Sequence, residues 1–105
     1  MERFSNDLEF YTEVLQTFVE TSPALVQDIS ESVLQADGGR LSKASHTLRG
    51  AVSNFATGPA ASLLSRLETC GKADNSKAAR RMVPKLHREI DRLTDSLLAI
   101  KEEIR

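Results

Sequence analysis

Ser42-Lys43-Ala44-Ser45-His46-Thr47-Leu48-Arg49-Gly50-Ala51-Val52-Ser53-Asn54-Phe55 reads, at about 100° per residue, as an amphipathic helix. Leu41, Ala44, Leu48, Ala51, Val52 and Phe55 gather on one side as an apolar stripe. His46 falls roughly opposite the centre of that stripe, so the turns that bury Leu48 and Phe55 carry the imidazole into water. Ser42, Lys43, Arg49 and Gly50 stand at the three- and four-residue spacings that make helical neighbours, and Ser53 continues the face. The imidazole therefore has cations on either side and a bare patch of backbone beyond it.

Gly50 sharpens this reading. A glycine inside a helix costs about 1 kcal/mol relative to alanine, and the apolar stripe on the other face gives it nothing to pack. Its missing side chain leaves room for something to come close to His46. An exposed imidazole offers a nucleophilic lone pair near neutral pH. Arg49 offers a guanidinium fork to the oxygens of an incoming phosphoryl group. A surface histidine beside an incidental glycine is the competing reading.

The run Ala44-Ser45-His46-Thr47-Leu48-Arg49-Gly50, followed by Asn54-Phe55-Ala56, resembles the signature of histidine-containing phosphotransfer (HPt) domains. Similar residues also occur in that family at Glu2-Arg3-Phe4-x-x-Asp7, at Phe18-Val19-Glu20-Thr21-Ser22-Pro23 and at Leu63-x-x-x-Leu67-Glu68, so the likeness spans nearly the whole chain. Arg49 stands where the family usually has lysine and keeps the charge. Ala56 stands where glycine is common, and the connection Asp37-Gly38-Gly39 is about one residue short.

At 105 residues the chain has room for one core. Apolar residues make up 40% with no tryptophan, so the core rests on Leu, Val, Ile and Ala, which suits packed helices. A formal net charge of −1, with charges of both signs interspersed, lacks the basic excess of a nucleic-acid binder. No apolar run approaches the roughly 20 residues of a membrane span, and no signal-peptide pattern follows Met1. The lone Cys70 allows no internal disulfide, fits a reducing cytoplasm and is expected to fill core space.

A first, additional helix is predicted from about Asn6 to Glu20, with Leu8, Tyr11, Leu15 and Phe18 on one side. Ser22-Pro23 reads as an N-cap and a proline at the first position of a second helix. That helix carries Leu25, Ile29, Val33 and Ala36, and ends at Asp37-Gly38-Gly39. Asp37 can also cap the central helix, which would then have two glycines weakening its first turn and which runs to about Thr57. Gly58-Pro59 is a break before the stripe Ala60, Leu63, Leu64, Leu67 and Cys70, which ends near Gly71. After a loop at Ala73–Ser76 comes the longest segment, whose Leu86, Ile90, Leu93, Leu97, Ile100 and Ile104 alternate steps of four and three as a heptad seam. Pro84 is expected to kink it or to set off its first turn. No alternating strand pattern competes. The expectation is an all-α antiparallel bundle, by resemblance a four-helix core with an added N-terminal helix and a long C-terminal one.

Other candidates carry less chemistry. His87 reads as a helix-flank residue, and neither histidine has the partners of a metal site. Lys77, Arg80, Arg81 and Lys85 read as a solvated helix start. No glycine-rich nucleotide loop is present, so no autonomous kinase activity is expected. The resemblance implies a single domain over 1–105, excised from a larger multidomain signalling protein such as a hybrid histidine kinase. It also implies a cytoplasmic phosphorelay intermediate, monomeric in isolation, which in a membrane-bound sensor kinase would lie on the cytoplasmic side without itself touching the membrane. His46, through Nε2, would take a phosphoryl group from one receiver-domain aspartate and pass it to another. Arg49 and Lys43 would stabilise that group, Gly50 would permit docking, and Ser42 or Ser53 would orient the ring. The chain would need no cofactor, with Mg²⁺ expected in the partner receiver. Two alternatives stand beside this: a phosphoacceptor domain of a chemotaxis-type kinase, and a helical interaction or dimerisation module without chemistry.

Overall fold

Period and punctuation account for most of the architecture. The structure is a computed structural model that describes residues 2–55 and 58–104, with side chains at 9–55 and 58–103. Among these residues the chain forms α1 (Glu2–Leu34), α2 (Gly38–Val52), a 3-10 turn (Ser53–Phe55), α3 (Gly58–Lys72) and α4 (Ser76–Ile104). Each helix packs on its neighbours in sequence, and α4 closes the ring on α1. The result is an up-and-down bundle 51 Å long and about 20 Å across. The stripes of the four helices meet in one core, where Leu15, Ile29, Leu48, Leu64, Leu67 and Leu86 are fully buried. Phe55 sets its ring edge-on to Tyr11 and Phe18, at centroid distances of 6.1 and 5.4 Å, and so seals the core beside the end of α2.

Two expectations need correction. The predicted first and second helices are one continuous helix with Pro23 inside it, and the additional N-terminal helix is the first half of α1. An interior proline costs about 3 kcal/mol. It is offset here because Leu15, Phe18, Ser22, Val26, Ile29 and Val33 all lie buried along a single face that runs through the proline. A break at Ser22 would take half of that face out of phase. Pro23 itself points to solvent. Pro84 likewise sits inside a continuous α4.

The second correction concerns the turn after α1. Gly38 and Gly39 do not end that helix but open α2, and the left-handed residue at the turn is Ala36, at φ 54°. Asp37 N bonds Ser32 O at 2.9 Å and Ala36 N bonds Val33 O at 3.1 Å, a Schellman closure. Asp37 then caps α2, accepting from Arg40 N at 3.1 Å. The α3–α4 joint repeats this device with Asp74 at φ 53° and Asn75 as the cap, which accepts from Ala78 N at 3.2 Å. A left-handed alanine costs about 1 kcal/mol that glycine would not. Ala36→Gly at this exposed position is therefore expected to raise the melting temperature by about 4 °C in a thermal melt. An unchanged or lower value would mean that the closure is not under strain.

The remaining expectations fall into place with small shifts. The α-helical part of the central helix ends at Val52 and tightens into the 3-10 turn; Ala56 and Thr57, in its expected last turn, lie outside the described residues. Leu86, Ile90, Leu93 and Leu97 are buried as a seam, whereas Ile100 is half exposed where α4 runs past the core. The side chains of Leu8 and Ile104 lie outside the described residues. Cys70 is a free, buried thiol. None of the described helices is long and apolar enough to cross a membrane.

Candidate functional site

The site sits where the outer face of α2 meets the edge of α3. Leu41, Ala44, Leu48 and Val52 are buried, which fixes the rotation of α2 about its axis and turns His46 outward. The imidazole side chain is 67% exposed. A Cβ built on Gly50, one turn along, would meet nothing within 4 Å, so the patch beyond the ring is open. Lys43 is exposed one turn before it.

Depth comes from the α2–α3 contact, and its cause is a second glycine. A Cβ on Gly71 would lie 2.6 Å from both Gly38 O and Ser42 N, so α3 rests on the backbone of α2 with no side chain between. Gly38 is equally confined, by Gly71 O and the Asp74 carboxylate. This close approach places Glu68, one turn before Gly71, against the His46 ring. Glu68 Oε2 lies 3.2 Å from His46 Nδ1 and 3.4 Å from Lys72 Nζ, while Glu68 Oε1 lies 3.1 Å from Arg49 NH2. The carboxylate side chain is only 12% exposed. Burial pushes its pKa up. The Arg49 charge, the Lys72 hydrogen bond and the neighbouring imidazole outweigh that and hold it below the usual carboxylate range. The carboxylate is therefore ionised at neutral pH. Its stabilising contribution is complete above the ordinary carboxylate pKa and is lost as pH falls through the lowered value.

The hydrogen-bond network assigns the ring's tautomer. Arg49 NH2 also stands 3.2 Å from His46 Nδ1, and one ring nitrogen cannot donate to a carboxylate and accept from a guanidinium at once. Arg49 already has Glu68 Oε1 as an acceptor. All partners are satisfied when Nδ1 carries the proton and donates it to Glu68 Oε2. The lone pair then lies on Nε2, on the ring edge away from that carboxylate.

His46, Arg49 and Gly50 thus share one open face, flanked by Lys43. Ser53 turns instead to its own backbone, donating to Gly50 O at 2.6 Å, and Ser42 is half-buried where its backbone meets Gly71. The polar partners of the ring are Glu68 and Arg49, not Ser42 or Ser53. Sequence reasoning missed Glu68 and Lys72 as site residues. Their four-residue spacing was visible as a helical ion pair, but nothing in it pointed to a histidine 22 residues away. His87 lies elsewhere, with Nε2 3.1 Å from Ser30 Oγ on α1. Lys77, Arg80, Arg81 and Lys85 are exposed at the start of α4.

A four-helix bundle that presents an exposed, carboxylate-held histidine on one helix face defines a class of protein, and comparison with known families agrees with it. The family model of the Hpt domain matches residues 13–96, and the chain belongs to that family. Its role is therefore histidine phosphotransfer in a phosphorelay. The crystal structure of histidine-containing phosphotransfer protein B (HptB) from Pseudomonas aeruginosa PAO1 has the same helical fold. It aligns with a TM-score of 0.86 at 20% identity, covering 92% of this chain and 84% of that one. No functionally curated relative matches the sequence.

Proposed function

We propose that this chain is a phosphorelay intermediate in which His46 Nε2 accepts a phosphoryl group from the aspartyl phosphate of one receiver domain and delivers it to the aspartate of another. In the first step the Nε2 lone pair forms the N–P bond, the P–O bond to the aspartyl carboxyl breaks, and that carboxylate leaves with the electron pair. The second step is the same exchange run toward a new carboxylate. The observation that carries this reading is the open imidazole itself, with its Nδ1 proton held by Glu68 so that Nε2 is free. Arg49 and Lys43 supply positive charge for the phosphoryl oxygens, and Lys72 adds a third cation from α3. Mg²⁺ and its acidic ligands belong to the receiver.

The test is transfer from a phosphorylated receiver, read as acid-labile label on the chain, with Gly50→Gln as the informative variant. Glutamine is the better helix former and has open space around it, so the melting temperature should hold or rise by a few degrees. The longer side chain would obstruct a docking receiver, and transfer should slow by about tenfold or more. Labelling by phosphoramidate, which needs no docking surface, should persist. Undiminished receiver transfer in this variant would place the docking face elsewhere. Failure of any receiver to label the wild type, with labelling by a chemotaxis-type kinase instead, would favour that donor.

A further inference from the structure

Glu68 has a consequence for the return step of the reaction. We propose that Glu68 holds the Nδ1 proton on the phosphorylated His46 ring and so sets how readily the phosphoryl group leaves it. This rests on the reading of His46 Nε2 as the acceptor atom. Once Nε2 carries phosphorus, Nδ1 is the only ring nitrogen left to take or lose a proton. When water or a receiver carboxylate attacks, a new O–P bond forms, the N–P bond breaks and its electron pair returns to Nε2. With a proton on Nδ1 the ring leaves as neutral imidazole. Without it the ring must leave as an imidazolate anion, which is a far poorer leaving group.

The geometry favours the first course. The Glu68 carboxylate is nearly buried, ionised, and 3.2 Å from Nδ1, where it stabilises the cationic ring. It is not wholly free to do so. Lys72 Nζ shares the same oxygen, Oε2, at 3.4 Å, and Arg49 holds the other one. Lys43 and Arg49 on α2, together with Lys72 on α3, oppose a positive charge on the ring. On its other side α2 meets α1, which directs Asp28 and Glu31 to Arg40 rather than to the ring. The proton is thus held by one carboxylate against three nearby cations, and Lys72 tunes the hold by competing for the oxygen that accepts it. Glu68 acts through the ring as a positioning residue and does not touch the phosphoryl group.

The experiment needs only the isolated chain, labelled with phosphoramidate, and the hydrolysis rate of its phosphohistidine as a function of pH. In the wild type the rate should drop as pH rises through the loss of the Nδ1 proton. Glu68→Gln, which keeps the shape and removes the charge, should move that drop to lower pH by about one unit. Its label should survive several-fold longer at neutral pH, and onward transfer to a receiver should slow by a similar factor. Lys72→Gln, at an exposed position, should move the drop the opposite way. A Glu68→Gln profile superimposable on the wild type, with native circular dichroism, would overturn the proposal. If Glu68→Gln does not fold, a Lys72→Gln profile that is unchanged or shifted to lower pH overturns it instead. Should phosphoramidate leave His46 of the wild type unlabelled, the acceptor assignment itself fails, a result distinct from a labelled chain whose profile ignores Glu68.

Discussion

His46→Gln is expected to give a folded, fully helical domain that neither a phosphorylated receiver nor phosphoramidate can label. The fold should survive because the side chain is 67% exposed and α2 is held by Leu41, Ala44, Leu48 and Val52 on its opposite face. A substitution at such a site usually changes stability by about 0.5 kcal/mol or less. The ring's contacts with Glu68 and Arg49 are lost, but those two residues keep each other and Glu68 keeps Lys72, while the new amide can donate in place of the ring. The chemistry should not survive, because an amide nitrogen has no lone pair available for attack on phosphorus. Melting temperature and label measured on the same sample separate the two effects. Label retained on the variant would remove His46 from the acceptor role and turn attention to His87. Geometry argues against that residue, whose Nε2 is engaged with Ser30 Oγ on α1.

Gly71→Ala is expected to be strongly destabilising although it adds a single methyl group. Alanine is preferred to glycine in a helix by about 1 kcal/mol, so propensity alone would stabilise the variant. The added Cβ, however, would stand 2.6 Å from two backbone atoms of α2, Gly38 O and Ser42 N, and neither can rotate away as a flexible side chain would. The helices must move apart, opening the core around Leu67 and Leu41. Overpacking of this kind costs about 3 kcal/mol, which for a domain of this size lowers the melting temperature by about 10 °C or more. Because the same contact brings Glu68 to His46, transfer should fall with stability even at temperatures where the variant remains folded. The control is Gly50→Ala, with the same chemistry in open space, which should hold or raise the melting temperature. Equal responses at the two glycines would contradict the close α2–α3 packing.

These two glycines show where sequence reading stops. Helical period places Gly50 on the solvent face of α2, but Gly71 reads only as the end of its stripe, and nothing in the local pattern says that it presses on the backbone of α2. Pro23 marks a similar limit. As a local signal Ser-Pro opens a helix, and the rule was overridden by a buried face that extends through it. That face was present in the sequence as Leu15, Phe18, Ser22, Val26, Ile29 and Val33, but a serine in the seam and a proline beside it concealed its continuity.

The sequence alone determined the all-helical class, the stripe that rotates α2, the break at Gly58-Pro59, the seam from Leu86 to Leu97 and the outward placement of His46. All of these follow from the 3.6-residue period and from terminal signals, which act within a few residues along the chain. Only the tertiary structure decided which groups surround the imidazole. The pairing of Glu68 with His46 and Arg49 depends on how close α3 comes to α2 and at what stagger. That distance is set by two glycines, Gly38 and Gly71, meeting backbone to backbone, which is a property of two helices together and of neither one alone.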